Sequence, residues 1–130
     1  MKKLVIDTNI FTAFGQGDAT VAGLLQSIDE IYLPYIVIGE LHHGFYHGKK
    51  PQENISFLKS FMDSPRMTIL MPLASTPRIY GELMSELQSA GKPMQTNDVW
   101  IAALCKENDL PLATFDKGFR NILGLELVDL

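Results

Sequence analysis

The chain has 130 residues, of which 46% are hydrophobic and 20% are charged. This composition excludes a disordered or fibrous protein, and the length fits one domain, residues 1–130. The net charge of −4 at pH 7 argues against an ordinary nucleic-acid-binding surface, which is usually basic.

Membrane and secretion signals are missing from the sequence pattern. No stretch approaches the roughly 18 apolar residues of a membrane span, and the apolar run after the first lysines is too short for a signal-peptide core. The single cysteine, Cys105, cannot form an internal disulfide, and its apolar helical surroundings indicate a small buried side chain. We therefore expect a cytoplasmic protein without membrane contact.

Short apolar runs alternate with helical patterns along the chain. The predicted strands are 3–6, 31–33, 68–71, 112–115 and 126–128. The predicted helices are approximately 8–14, 18–28, 34–45, 52–62, 76–90 and 96–108. The expected caps are Thr8 or Asn9 for the first helix, Asp18 for the second, and Ser75 or Thr76 for the fifth. Pro34 suits a first helical turn and Gly91 a helix end. This alternation predicts a single α/β domain with a mainly parallel five-stranded sheet.

Four carboxylates stand at the start or edge of these elements. Asp7 follows the first strand, Asp116 follows the fourth, and Asp98 opens the last helix. Glu40 lies in the helix that starts at the carboxyl end of the second strand. Ligands of parallel sheets gather at the carboxyl ends of the strands, so this placement is the first evidence for function. An acid at the end of a buried strand also costs desolvation, which a shared cation would offset.

Each acid taken alone has an ordinary structural explanation. Asp7 could cap the following helix, although the two residues after it are competing caps. Asp98 could be a first-turn acid favoured by the helix dipole, and Asp116 could be a turn residue. Glu40 could lie on a solvated helix face. Their joint arrangement favours a functional site, because four independent coincidences at one sheet edge are improbable.

The ligand chemistry indicates a hard cation. Carboxylate oxygens without histidine or cysteine companions suit Mg²⁺ or Mn²⁺ rather than Zn²⁺. Among carboxylates, such ions serve phosphoryl chemistry. The four acids carry a charge of −4, which equals the net charge of the chain, so divalent cations bound to them would neutralise the negative charge of the protein. The acidic composition therefore does not exclude a polyanionic substrate.

Other candidate residues carry weaker signals. His43 and His47 are four residues apart, with Glu40 three residues before His43, which superficially resembles a metal stripe. A polar helix end or an RNA contact, with His42 included, explains them better. The basic residues are read as a solvated surface or as a rim for phosphate contacts; they are Lys49, Lys50, Lys59 and Arg66. Trp100 is expected to pack rather than to stack on a ligand.

The motifs together resemble the PIN domain, in particular the VapC-type toxins of prokaryotic toxin–antitoxin pairs. They are Val5-Ile6-Asp7-Thr8-Asn9, Glu40-Leu41 followed by Gly44, Asn97-Asp98 followed by Ile101-Ala102-Ala103, and Thr114-Phe115-Asp116 followed by Phe119. In order, these segments are highly specific, and they span nearly the whole chain. The resemblance implies a central parallel sheet with helices on both faces and an endoribonuclease that depends on Mg²⁺ or Mn²⁺.

The resemblance also implies roles for particular residues. Asp7 and Asp98 would ligate the principal ion, and Asp116 with Glu40 would complete the site. Thr114 and Asn9 would orient those ligands through hydrogen bonds. The implied partners are an RNA substrate, commonly transfer RNA among relatives, a VapB-like antitoxin, and a second copy of the chain in a homodimer.

The chain departs from the family at two places. Val37 stands where many relatives have Ser or Thr, and His42 and His43 stand where many have basic residues. These departures leave the four acids intact and bear on substrate contacts.

The expected reaction is phosphodiester hydrolysis that leaves a 5′-phosphate and a 3′-hydroxyl. One rival is a PIN-like module that binds RNA or protein without cutting it. A second rival, an aspartyl-phosphate phosphatase, is disfavoured because that chemistry requires an aspartate where Asn9 stands.

Overall fold

The computed structural model describes all residues, 1–130, as five strands, six α-helices and one short 3-10 helix. The strands are β1 (Lys3–Ile6), β2 (Glu30–Pro34), β3 (Met67–Leu70), β4 (Leu112–Ala113) and β5 (Leu127–Val128). The helices are α1 (Thr8–Gly15), α2 (Ala19–Gln26), α3 (Tyr35–His47), α4 (Pro51–Met62), α5 (Thr76–Ser89) and α6 (Thr96–Asn108). The 3-10 helix is Lys117–Asn121. None of the helices is long and apolar enough to cross a membrane.

The five strands form one sheet in the order β3-β2-β1-β4-β5, and every neighbouring pair is parallel. The predicted α/β fold with a parallel five-stranded sheet is therefore confirmed. The chain builds outward from β1 through β2 to β3, and then returns to the other side of β1 with β4. The carboxyl end of β1 is thus the point where the strand order reverses, which is where open α/β sheets bind ligands.

The core covers both faces of the central strand. Leu4, Val5 and Ile6 in β1 are completely inaccessible to solvent, as expected for a strand of a parallel sheet with helices on either side. Helix α6 is buried at six positions, including the consecutive run 101–105. This run contains Cys105, so the predicted burial of the single cysteine is confirmed. Because the middle of α6 is buried and its two ends are polar, its first turn lies at the edge of the core.

Several predicted boundaries and caps were wrong by one or two residues. Pro34 ends β2 and precedes α3 instead of lying in its first turn. Strand β4 stops at Ala113 rather than residue 115, because Thr114 uses its side chain to turn the backbone. Ser75 is at the N-cap position of α5, as predicted, but its side chain makes no capping hydrogen bond. The hydroxyl of Thr76, the other predicted cap, accepts from the Leu73 amide and donates to Glu107. Strand β3 begins and ends one residue earlier than predicted.

Two other predicted helix ends are confirmed. Asp18 Oδ1 accepts a hydrogen bond from the Val21 amide at 3.0 Å and so caps α2. Gly91 follows α5 with a φ of 69°, a left-handed conformation that glycine adopts without a steric penalty.

Candidate active site

Asp7 is fixed at the junction of β1 and α1 and is only 5% exposed. Its Oδ1 accepts from the Ile10 amide at 3.1 Å, and its Oδ2 accepts from the Thr114 hydroxyl. The prediction that Thr8 or Asn9 caps α1 was wrong, since Asp7 itself is the cap. Burial raises the pKa of Asp7; the two hydrogen bonds lower it, and the charges of Asp116 and Glu40 raise it further. The carboxylate is therefore rigid and electrostatically unfavourable in the absence of a cation.

Glu40 projects from α3 toward the start of α1. Its Oε1 accepts a hydrogen bond from the Thr8 hydroxyl at 2.8 Å, and the residue is partly buried. Glu40 is therefore not the freely solvated glutamate that the residue alone would allow. Sequence reasoning did not find the role of Thr8. The available signal was its position directly after Asp7, which places its hydroxyl at the same sheet edge.

Asp98 lies in the first turn of α6 and is partly buried. Burial, followed by the charges of Asp116, Glu40 and Asp7, raises the pKa of Asp98 to about 6. No hydrogen bond offsets these causes, in contrast to Asp7. The three neighbouring carboxylates that act on Asp98 show that all four acids lie within electrostatic reach of one another.

Asp116 follows Thr114 on an exposed turn. The Asp116 amide donates to Thr114 Oγ1 at 3.0 Å, and Asp116 Oδ1 accepts from the Gly118 amide at 2.8 Å. Asp116 is thus a turn residue as well as a site residue. Thr114 contacts both Asp7 and Asp116 through its hydroxyl, and its role in orienting ligands stays a prediction. Asn9 lines the pocket, but it is not among the donors to the acids; these are Thr8, Ile10, Thr114 and Gly118.

All four acids line one pocket of about 430 Å³. The other lining residues are Thr8, Asn9, Pro93, Met94, Gln95, Ile101 and Gly118. No lysine or arginine is among them, so the acids have no basic counter-charge within the pocket. A phosphate group would be repelled by such a surface unless cations were bound there.

The donor set fits a hard divalent cation, although no preformed cluster is present. No group of three or more histidine, cysteine, aspartate or glutamate side chains is already arranged to hold a metal ion. Mg²⁺ does not require such a cluster, because it usually keeps several waters and binds one or two carboxylates. The raised pKa values of Asp7 and Asp98 show that their ionised forms are unfavourable where they are buried next to the other acids, and a bound cation would stabilise those ionised forms.

The histidines lie outside this pocket on the exposed end of α3. The rings of His43 and His47 are 4.5 Å apart between centroids, and His47 Nδ1 lies 3.0 Å from the His43 carbonyl oxygen. The His42 ring packs against Phe45 and Tyr46. These contacts describe a polar and aromatic helix end rather than an extension of the acid pocket.

Two of the basic candidates, Arg66 and Lys50, have partners within the protein. Arg66 donates to the carbonyl oxygens of Leu25 and Ile28 at 2.9 and 2.6 Å, which satisfies the end of α2. Lys50 forms an exposed ion pair with Glu53 at 3.9 Å. Trp100 stacks on Tyr80 with ring centroids 3.8 Å apart, as its predicted packing role requires.

Known proteins match this chain over most of its length. The family model described as the PIN domain matches residues 4–124. Ribonuclease VapC2 of Rickettsia felis is 33% identical over 80% of this chain and 77% of its own length. Ribonuclease VapC2 of Haemophilus influenzae is 26% identical over 96% of both chains.

A solved structure agrees with the sequence matches. The complex of VapBC2 from Rickettsia felis bound to a DNA fragment from its promoter contains a chain that superposes with a TM-score of 0.90. The identity is 28%, and 98% of both chains is covered. The resemblance inferred from the motifs is therefore confirmed. This chain belongs to the PIN domain family, and its relatives include the VapC ribonucleases.

Proposed function

We propose that this PIN domain protein is an endoribonuclease that depends on Mg²⁺ or Mn²⁺ and acts as the toxin of a type II toxin–antitoxin pair. The observation that carries the proposal is the convergence of Asp7, Glu40, Asp98 and Asp116 in one pocket that contains no basic residue. The relatives named ribonuclease VapC support the reaction class. An RNA phosphodiester is the substrate class, and transfer RNA is the first substrate to test.

The proposed role of each acid follows from how firmly its side chain is held. Asp7, fixed by Ile10 and Thr114, and Asp98, at the edge of the core, would hold the principal ion. Asp116 and Glu40 would complete the site, with Glu40 oriented by Thr8. When bound, the ion supplies a water of lowered pKa and neutralises charge on the scissile phosphate. The protein contributes the placement of the four acids around one pocket.

The proposed antitoxin fits a groove next to the acid pocket. This groove, of about 580 Å³, lies between α1, α3 and α4 and shares Thr8 and Glu40 with the acid pocket. Phe11, Phe45 and Phe57 line it, as does Glu53, so an apolar segment that carries a basic residue would match it. The solved relatives in complexes of VapB and VapC support this partner. A neighbouring gene for a small DNA-binding protein, and co-purification of its product, would test the pairing.

A homodimer is part of the same proposal. Apolar side chains are exposed at the sheet edge around β3, where Ile69, Met71 and Leu73 are accessible. Tyr35, which follows the residue paired with Leu70, is exposed nearby. A second copy of the chain would cover such a surface. Light scattering coupled to gel filtration tests it, and a monomer at all concentrations would contradict it.

Cleavage assays with purified protein test the nuclease activity. We expect RNA to be cut with Mg²⁺ or Mn²⁺, and cleavage to stop in excess chelator and in the Asp98→Asn variant. Asp63→Asn is the matched control, because Asp63 is an exposed acid at the end of α4 outside the pocket. Full cleavage in chelator or by Asp98→Asn would contradict the proposal. RNA binding without cleavage would identify the non-catalytic PIN-like module instead.

A further inference from the structure

Phe115 is an exposed aromatic residue between two residues of the site. Phe115 is 46% exposed, and the side chains of the residues on both sides of it form hydrogen bonds. On one side Thr114 is bound to Asp7, and on the other Asp116 accepts from the Gly118 amide. Phe115 is therefore an exposed aromatic residue directly between a residue that binds Asp7 and an acid of the pocket.

The Phe115 ring lies in a cleft of its own beside the acid pocket. This cleft, of about 130 Å³, is lined by Phe115, Lys117 and Arg120 and by the end of the chain from Leu127 onward. Phe115 does not line the acid pocket, whereas Asp116 lines both. Asp116 is therefore the wall between the acid pocket and the aromatic cleft.

The charges of the two cavities differ. None of the three salt bridges in the protein involves Lys117 or Arg120, so both cations are free. They balance Asp116 and Asp129, the two acids that line the cleft. The acid pocket has four carboxylates and no base. A strand of RNA that places a phosphate over the acids thus meets, immediately beyond Asp116, a surface that contains Phe115, the two cations Lys117 and Arg120, and one further acid, Asp129.

We propose that Phe115, Lys117 and Arg120 form a nucleotide subsite, in which the base of a nucleotide next to the scissile phosphate stacks on the Phe115 ring. The inference rests on the proposed nuclease function. Lys117 and Arg120 contact the adjoining phosphate. Stacking requires a base with a free face, so the subsite selects RNA that is unpaired at the cut.

Binding of a non-cleaved RNA tests the subsite. In an Asp98→Asn background, the probes are fluorescein-labelled single strands of poly-A and poly-U, about a dozen nucleotides long. Loss of one base–aromatic stack predicts that Phe115→Ala and Phe115→Leu weaken binding roughly 5- to 150-fold, and that Phe115→Trp restores it. Leu123→Ala is the control, because Leu123 is 79% exposed and lines neither cavity.

A second readout reports stacking directly. The fluorescence of 2-aminopurine placed within the RNA should be quenched by the protein with Phe115 and not by the Phe115→Leu variant. Equal affinity and equal quenching for Phe115 and Phe115→Leu would overturn the subsite, as would the absence of any RNA binding. If Phe115→Leu binds RNA normally but loses the binding of a protein partner, Phe115 belongs to a protein interface and the nucleotide subsite is overturned as well.

The outcomes separate the subsite from the nuclease function. Cleavage by the wild-type protein with unchanged kinetics in Phe115→Leu overturns the subsite and leaves the nuclease proposal standing. RNA binding that depends on Phe115, without metal-dependent cleavage, supports the subsite and overturns the nuclease proposal.

Discussion

The Thr114 hydroxyl donates a hydrogen bond to Oδ2 of Asp7 and thereby joins the ends of β1 and β4 across 107 positions of sequence. The Thr114 hydroxyl oxygen also accepts a hydrogen bond from the Asp116 amide. One side chain therefore sets the spacing between a buried acid and an exposed acid. The two neighbouring strands, paired at Ile6 and Ala113, bring these residues together.

Replacement of Thr114 by valine should weaken metal binding. The substitution keeps the shape of the side chain, removes the donor to Asp7 and leaves the Asp116 amide without its acceptor. Loss of a partner that orients a metal ligand typically reduces affinity or activity by about 10- to 100-fold. The measurement is the Mn²⁺ concentration at half-maximal RNA cleavage. Thr114→Ser keeps the hydroxyl and should behave as wild type; an unchanged Mn²⁺ requirement in Thr114→Val would refute the role.

The Thr8–Glu40 hydrogen bond predicts a positioning role for Thr8. We expect Thr8→Val to reduce kcat more than it raises KM, because Glu40 loses the donor that orients it rather than a substrate contact. One lost hydrogen bond to a charged group corresponds to about 1.5 to 3 kcal/mol. Thr8→Ser should restore the rate. A change confined to thermal stability would show that the bond is purely structural.

Asp98 predicts that stability falls as pH rises when no divalent ion is present. Its pKa is raised from 3.8 to about 6 in the folded protein, so the folded state binds more protons between these values. The associated stabilisation is complete below pH 4 and is lost as pH rises through about 6. Because Asp98 is partly exposed, solvent screening reduces the effect to about 1 to 2 kcal/mol.

Urea unfolding in chelator at pH 4.5 and 7.5 measures this dependence. Asp98→Asn should be more stable than wild type at pH 7.5 and should show a smaller difference between the two pH values. The control is Asp63→Asn, and Mg²⁺ should reduce the advantage of Asp98→Asn. An identical pH dependence in wild type and Asp98→Asn would contradict the assignment.

A side chain at Gly118 should displace the Asp116 carboxylate and so test whether its position matters. A Cβ at Gly118 would lie 3.1 Å from Asp116 Oδ1, closer than ordinary contact, so the carboxylate must shift. We expect Gly118→Ala to lower the cleavage rate while the fold remains intact. Gly81→Ala is the matched control, because its Cβ would meet nothing within 4 Å on α5 and should slightly stabilise the helix. Equal activity of both variants would show that the Asp116 position is not critical.

The local part of the site was predictable from the sequence. Asp7 and Asp116 follow apolar runs, and adjacent parallel strands end at one edge, so their proximity follows from strand pattern alone. Asp98 opens a helix whose burial was visible in its apolar residues. The fold class followed from the same alternation of strands and helices. The family motif also drew attention to Thr114, whose hydroxyl contacts both Asp7 and Asp116.

The remaining features depend on packing that sequence periodicity does not encode. The Thr8–Glu40 bond spans 32 positions and requires the particular contact between α1 and α3. The sequence left Asp7, Thr8 and Asn9 as competing caps of α1, and it does not show that the Asp7 side chain serves two partners through two different oxygens. Strand β4 is shorter than its apolar run, because a side-chain hydrogen bond at Thr114 ends it.

The burial of α6 has a consequence for the mobility of the site. Asp98 lies in the first turn of a helix whose centre is buried, and Asp7 follows the central strand, so a large displacement of either acid requires the packing of α6 or β1 to open. Asp116, on an exposed turn, can adjust locally. Amide hydrogen exchange should therefore be slowest in α6 and β1 and fast around residues 115–118. An ion would meet two firmly held acids, Asp7 and Asp98, a glutamate oriented by Thr8, and one adjustable acid, Asp116, which allows cations of somewhat different radius to be held without reorganisation of the core.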